Sequence, residues 1–550
     1  MRIACASVLS SLFFATQALA QGAVPAVPAV HSSSAPSPTV PETGGAPAAS
    51  AAAQAPATPP SSSDLHLDLT TLKTLRARGT ITQAEYDTAM RDLNETTGAA
   101  TASEAPTFAL GKFSTTIYGM VKGDFIYDST QSFSDLAGNA QVQRPSGAPL
   151  APPPASQNYY AGEHPRTQFS IHDSRLGFFM RAPETSSGVR VSGLLEMDLF
   201  GQIASNATEQ QFYDSSVPRV RHAFFRVETP VVDVLVGQYW HLFGWQNLYH
   251  PASVQAQGLA GELYARDMQL RISKRLESHA VTFEVAVAAL RPPSRDSAIP
   301  QGEAGLRLAL NQWTGVMTNG SAGTSLQPMS IAVTGNTREI TVPELSLEPV
   351  NVVSRGMQSL AVDVFIPVIP TRDIHRGNAL SIHGEFVNGN GIADLYTSLT
   401  GGISFPSVPN TTNLNPAPTY PQDIDNGLVM FDSKGNLHAI NWNSVLAGLQ
   451  YYFPFTDGRL FLVANYAHMQ SSNIADFTTN YHGISPDPNA LDFTSSATVR
   501  KSIDLLDFDL FADVTRGVRI GVEYAQYFDH YVDGTLAKNT RVQGAGLFIF

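Results

Sequence analysis

The sequence predicts an all-β protein, a transmembrane antiparallel β-barrel of about 16 strands preceded by a short α-helical periplasmic segment. Three observations carry that expectation. From 107 to 550 apolar and polar residues alternate with a two-residue period, the connections between alternating segments are long and short in turn, and the chain ends in Phe548-Ile549-Phe550.

The elements follow in chain order. Arg2 is a short basic start, Val8 to Ala15 an apolar core, and Ala18-Leu19-Ala20 a small-x-small site, so 1–20 reads as a signal peptide cut before Gln21. Its apolar run is shorter than the about 20 residues of a spanning helix. Cys5, the only cysteine, falls inside it, which leaves the mature chain without thiol chemistry or disulfides. Residues 21–63 are rich in Ala, Pro and Ser and bury too little apolar surface to offset their ordering entropy, so they read as a disordered linker.

Residues 64–96 change character. Leu65, Leu69, Leu72 and Leu75 recur at helical spacing, Gly79 stops that helix, and Thr82 with Glu85 forms a capping box for a second. The centre Gly79-Thr80-Ile81-Thr82-Gln83-Ala84-Glu85-Tyr86 resembles a short helical-hairpin motif. Such a piece is too small for its own core. It pairs with copies of itself as a coiled coil, packs on the barrel or periplasmic material, or stays unassociated.

The barrel occupies 107–550. Val281, Phe283, Val285 and Val287 alternate with Thr282, Glu284, Ala286 and Ala288, and Leu506, Phe508, Leu510 and Ala512 alternate with Asp507, Asp509 and Asp513. One face is apolar and the other polar, as lipid and water on opposite sides of a wall require. Strands are expected near 115–128, 167–181, 188–200, 217–228, 231–240, 262–275, 278–290, 303–310, 328–336, 357–368, 377–388, 437–453, 459–470, 501–514, 517–532 and 537–550. Connections such as 129–166, 201–216, 241–261, 389–436 and 471–500 are long, whereas 182–187, 229–230, 276–277, 454–458 and 515–516 are short. Long outer loops alternate in this way with tight periplasmic turns. The connection 311–327 breaks the parity, being too long for a turn.

Composition agrees. Mean hydropathy is −0.06 although 43% of residues are hydrophobic, because only alternate residues face lipid. The net charge of −13 argues against nucleic acid as a partner.

Ser174-Arg175-Leu176-Gly177-Phe178, Arg219-Val220-Arg221-His222-Ala223-Phe224 and Val236-Gly237-Gln238-Tyr239-Trp240 resemble successive strand motifs of trimeric porins. Gly389-Asn390-Gly391-Ile392-Ala393-Asp394-Leu395-Tyr396 and Gly448-Leu449-Gln450-Tyr451-Tyr452 resemble later signatures of the DcaP-like porin family, and the resemblance covers essentially the whole barrel. Phe548 and Phe550 resemble the C-terminal signal read by barrel-assembly machinery. The resemblance implies a homotrimer in the outer membrane of a Gram-negative cell, in contact with its lipid. It also implies a helical segment in the periplasm, and water-filled channels for passive diffusion of small hydrophilic, often anionic, solutes.

The pore-lining candidates are Lys122, Asp124, Arg175, Arg190, Glu196, Asp198, Arg219, Arg221, Arg271, Arg519 and Glu523. Arg219 and Arg221, two apart, project from one strand face, and a pair of arginines facing lipid would be very costly. Fixed cations in a lumen concentrate anions. Alternatively the arginines neutralise the lumen acids and set up a transverse field. The third long loop, 241–261, is the constriction candidate, with His241, Trp245, Tyr249 and His250. Trp240 and Tyr239 beside it are equally suited to an interfacial girdle. No catalytic residue, metal ligand or cofactor is assigned, since no G-x-S-x-G, P-loop, H-E-x-x-H or calcium-loop spacing occurs, and no enzyme is expected. The other reading is a structural barrel that anchors the envelope through its periplasmic N-terminal segment.

Overall fold

In the computed structural model, the described residues are 107–550 apart from 111–112, 138–140, 149–155, 203–207, 256, 295–296, 345–348, 373–375, 398, 400–423, 426, 433–434 and 478–498. The expected signal peptide, linker and helical segment (1–20, 21–63 and 64–96) lie outside the described residues.

The wall begins with β1 (Thr107–Leu110) and β2 (Phe113–Asp128). It continues through β3 (Arg166–Ser170), β4 (Arg175–Arg181), β5 (Arg190–Asp198), β6 (Arg219–Glu228), β7 (Asp233–Trp240), β8 (Arg266–Glu277) and β9 (Val281–Leu290). The taller part comprises β10 (Gln301–Asn319), β11 (Gly323–Pro343), β12 (Val352–Ile369) and β13 (Ala379–Asn390). After a small hairpin, β14 (Val429–Phe431) and β15 (Leu437–Ala439), the wall closes with β16 (Asn441–Tyr452), β17 (Leu460–Ser471), β18 (Arg500–Thr515), β19 (Val518–Tyr531) and β20 (Leu536–Ile549). Among the described residues three short α-helices sit in loops: α1 (Ser156–Glu163), α2 (Glu209–Asp214) and α3 (Gln246–Tyr249).

Every ladder is antiparallel to its neighbour, and β20 pairs with β2 from Met120↔Ile549 to Asp128↔Arg541, which closes the sheet. The strands β3 and β4 both pair with β2, one after the other, and so share a single position in the wall. The result is a closed 16-strand barrel. Closure leaves no unpaired edge, the condition for a sheet to sit in hydrocarbon.

The two-residue period sorts the faces. On β18, Leu506, Phe508 and Leu510 are exposed on the outer surface while Asp507 and Asp509 are buried within. Val522, 51% exposed, lies on the outer face of β19 between the buried Gly521 and Glu523. Val522→Arg is expected to cost about 2–4 kcal/mol of folding free energy in lipid. Reversible urea titration of the protein in vesicles measures this, and an unchanged midpoint would place that face away from lipid.

The irregular connection 311–327 has a physical explanation. The strands β10 and β11 run on to Asn319 and Gly323, so this turn is short; the long–short parity fails elsewhere, since 370–378 on the turn side is longer than 344–351 and 532–535 on the loop side. A register shift between Leu310↔Met329 and Thr314↔Pro328 bends the end of this hairpin. It folds into the lumen: Ser381 Oγ on β13 donates to Val316 O, Gln450 on β16 brackets Thr318, and Arg519 on β19 donates to Ser321 O. The apolar residues Val316 and Met317 are therefore buried inside, where no two-sided alternation marks them. The expected strand 437–453 is also divided, its first residues pairing with β14 instead of the wall.

Candidate functional site

The third loop, 241–265, crosses the lumen. At its root Glu303 of β10 accepts from the Leu242 and Phe243 amides and contacts His241 Nδ1 at 2.8 Å, while Asp267 faces His241 Nε2 at 3.1 Å. At its tip the Val254 amide donates to Asp509 on β18, Ser253 Oγ to Glu523 on β19, and Lys122 Nζ on β2 to Val254 O at 2.6 Å. The loop thus reaches from one wall to another, and its Pro251 O accepts from Gly320 at the tip of the inward hairpin. Ala252 and Val254 pack there with Val316, Tyr452, Phe461 and Phe511.

All four loop candidates lie within this segment. Trp245 takes a left-handed φ of 42°, uncommon for a bulky side chain. It is held there by burial among Leu242, Tyr249, Met317 and Phe365. Gly305 makes room, since a Cβ there would come within 3.1 Å of the indole. Tyr249 Oη donates to Ser330, and His250 Nδ1 pairs with Glu262 at 2.7 Å. Trp240 is not on the lipid side, because it packs inward against His222 and Tyr264.

Burial pushes the His241 imidazole pKa down, but the Glu303 and Asp267 carboxylates outweigh it and hold the group up at about 9. The folded value lies above the ordinary value near 6.5, so the stabilisation is complete below that pH and is lost as pH rises through about 9. It amounts to something on the order of 3 kcal/mol. Hydrogen exchange at the Leu242 and Phe243 amides, corrected for intrinsic rates, is expected to lose protection between pH 6 and pH 10 relative to wall strands. Equal protection at both pH values would refute this.

The eleven wall candidates all turn inward. On β5, Glu196 and Asp198 receive Arg221 and Arg219 from β6: Arg219 is bidentate on Asp198, and Arg221 Nε lies 2.7 Å from Glu196. A register shift between Glu196↔His222 and Met197↔Val220 leaves Arg221 as an extra residue, so Arg219, Arg221 and His222 share the inner side. Arg175 pairs with Asp173 in the break between β3 and β4. Lys122 Nζ sits between Asp124 and Asp173 at 3.1 and 3.2 Å. Arg519 pairs with Asp513, and Arg190 with Glu228 at the periplasmic end.

Two arginines differ. Arg271 is held by Gln269 Oε1 and Trp240 O, and Arg266 by the rings of Trp240 and Tyr264. Among the described residues neither has a carboxylate within ion-pair distance. Tyr264, in the third loop, reports the field. Burial raises its phenol, yet Arg221, His250, Arg175 and Arg266 together bring it down to about 8.

Arg266, Tyr264, Glu303 and Asp173 were missing from the sequence candidates. The first two lie at a loop–strand junction where alternation has faded, and Asp173 lies in a strand break.

A closed barrel with an apolar outer wall, a charged interior and a third loop folded into the lumen has the architecture of a porin-type β-barrel. No protein-family model and no curated protein matches the sequence. Among solved structures the chain is similar to the outer-membrane channel DcaP of Acinetobacter baumannii, with 14% identity, 81% of this chain and 100% of that chain covered, and a TM-score of 0.54. Structures with lower scores include an anion-selective porin from Comamonas acidovorans (10% identity, 80% and 100% covered, TM-score 0.40). The outer-membrane-expressed OmpT of Vibrio cholerae is another (11% identity, 81% and 100% covered, TM-score 0.42). The DcaP likeness is one of fold, and the chain has the fold of a DcaP-like porin.

Proposed function

We propose that the protein is a porin giving passive diffusion of small hydrophilic, anionic solutes, through a pathway constricted by the third loop and the inward β10–β11 hairpin. The observation that carries the reading is the arginine sector on β4, β6 and β8. There Arg175, Arg219 and Arg221 are each paired, while Arg266 and Arg271 meet no carboxylate among the described residues. Net positive potential at a lumen wall raises local anion concentration and lowers the entry barrier for anions. The depressed Tyr264 phenol supports the same sign. The pore-lining role belongs to the eleven wall residues together with Arg266, and the constriction role to His241, Trp245, Tyr249 and His250. A homotrimer in the outer membrane fits the family resemblance, and cross-linking of the detergent-purified protein tests it.

Reversal potential across a salt gradient in planar bilayers is the direct test. An anion-selective sign is expected, and a cation-selective one would overturn the solute class while leaving the barrel intact.

A second reading, a barrel that serves as a structural anchor, is favoured by one observation. Lys122, Arg221, Glu523 and Arg541 are 0–2% exposed inside the wall. Charges that line an open aqueous passage would be wet, whereas Lys122, Arg221 and Glu523 lie against Val254, Tyr264 and Ser253 of the third loop, and Arg541 against Phe133, Ser134 and Asp135. Absence of any steady current through the purified protein would favour the anchor.

A further inference from the structure

Three carboxylates on neighbouring strands meet beneath the tip of the third loop, and we infer that Asp507, Asp509 and Glu523 form a binding site for a hard divalent cation of the calcium type. Asp507 and Asp509 follow one another on the inner face of β18, and Glu523 is the direct cross-strand partner of Asp509. Their side chains are 0–1% exposed. One oxygen of each lies within 4.8 Å of the others.

Each of the three carboxylates keeps one buried oxygen out of the hydrogen bonds that fix it. Asp507 Oδ1, Asp509 Oδ2 and Glu523 Oε1 are all buried without a hydrogen-bond partner. The opposite oxygen of each carboxylate is fixed, by Asn465 Nδ2 on Asp507, by the Val254 amide on Asp509 and by Ser253 Oγ on Glu523. Each residue therefore presents one anchored oxygen and one oxygen left free for a ligand. A further unpartnered acceptor, the buried Gln543 Oε1, lies on the strand next to Glu523 and in direct register with it.

The local cations are committed elsewhere. Lys122 is held by Asp124 and Asp173, and Arg541 is bidentate on Asp128. Several desolvated carboxylates without a partner are far too costly to stand as bare anions. An all-oxygen set suits a hard cation, and a span of up to 4.8 Å is twice a calcium–oxygen distance of about 2.4 Å. A bound cation would tie the loop tip to β18 and β19, because two of the anchoring donors come from residues 253 and 254.

The test uses the full-length protein in detergent, stripped with EDTA and titrated calorimetrically with CaCl2. Binding is expected at about one Ca2+ per chain in a tight phase, with a rise in unfolding temperature. Asp507→Asn/Asp509→Asn is expected to lose that phase, and so is the milder Glu523→Gln. Both replace charge by a neutral group of the same shape, and heat-modifiable migration checks that they are folded. A tight phase that persists in either folded variant would overturn the site, as would a wild type without a tight phase, in which the acids carry protons only. These readouts do not involve conductance, so they fail or succeed independently of the porin reading.

Discussion

Replacing residues 311–328 by Asn-Gly is expected to convert a narrow, intermittent conductance into a large, steady one. Leu310 and Met329 are cross-strand partners at the point where the hairpin bends inward, and a two-residue type I′ turn closes such a pair without strain. Strands pair about 4.8 Å apart and pack about 10 Å deep, so the hairpin obstructs on the order of 100 Å2 of lumen cross-section. Its removal takes the apolar contacts of Val316 and Met317 from the third loop, and a hydrogen-bond partner from each of Ser381, Gln450, Tyr452 and Arg519. All of them line the space that water would refill, and Arg519 keeps Asp513. The wall itself is untouched, so assembly is expected to survive. Single-channel recording of the variant beside the wild type decides the matter. An unchanged conductance would mean that the third loop alone limits the passage.

The second large effect concerns Arg266. Its guanidinium lies over Trp240 and Tyr264, at 4.9 and 5.6 Å from the ring centres, with no carboxylate partner among the described residues. Removing it therefore takes away uncompensated positive charge and orphans no anion. A unit charge about 5 Å from a passing anion in water contributes about 0.8 kcal/mol, roughly a fourfold change in permeability ratio. Arg266→Gln is expected to lower the anion-to-cation permeability ratio by about that factor, read from the reversal potential. Arg221→Gln serves as the contrast. It leaves Glu196 and part of Asp198 buried without their cation, so destabilisation is expected there in addition to altered selectivity. Equal shifts from both variants, without loss of stability in the second, would argue against the distinction between paired and unpaired arginines.

The wall was legible because its signal is local. Whether Val522 or Glu523 faces water follows from position along a pleated strand, where successive side chains point to opposite sides. For that reason most strand positions and the inward direction of residues such as Lys122, Arg219 and Glu523 could be read from neighbours in the chain alone. Even the bulge at Arg221 did no harm, since it kept both arginines inside.

What fills the barrel was decided by tertiary structure. The stretch 311–327 carries mixed residues that would suit a surface turn, and only the acceptors and donors of β13, β16 and β19 draw it inward. The third loop was recognisable by its place in the order, but its landing on Asp509 and Glu523 depends on strands more than 250 residues away. Asp507 and Asp509 stood out only as polar members of an alternating strand, and Glu523 only as a wall residue. Closure of the sheet brought the three together under the loop tip, because a two-residue period fixes which side a residue faces and says nothing about what it meets there.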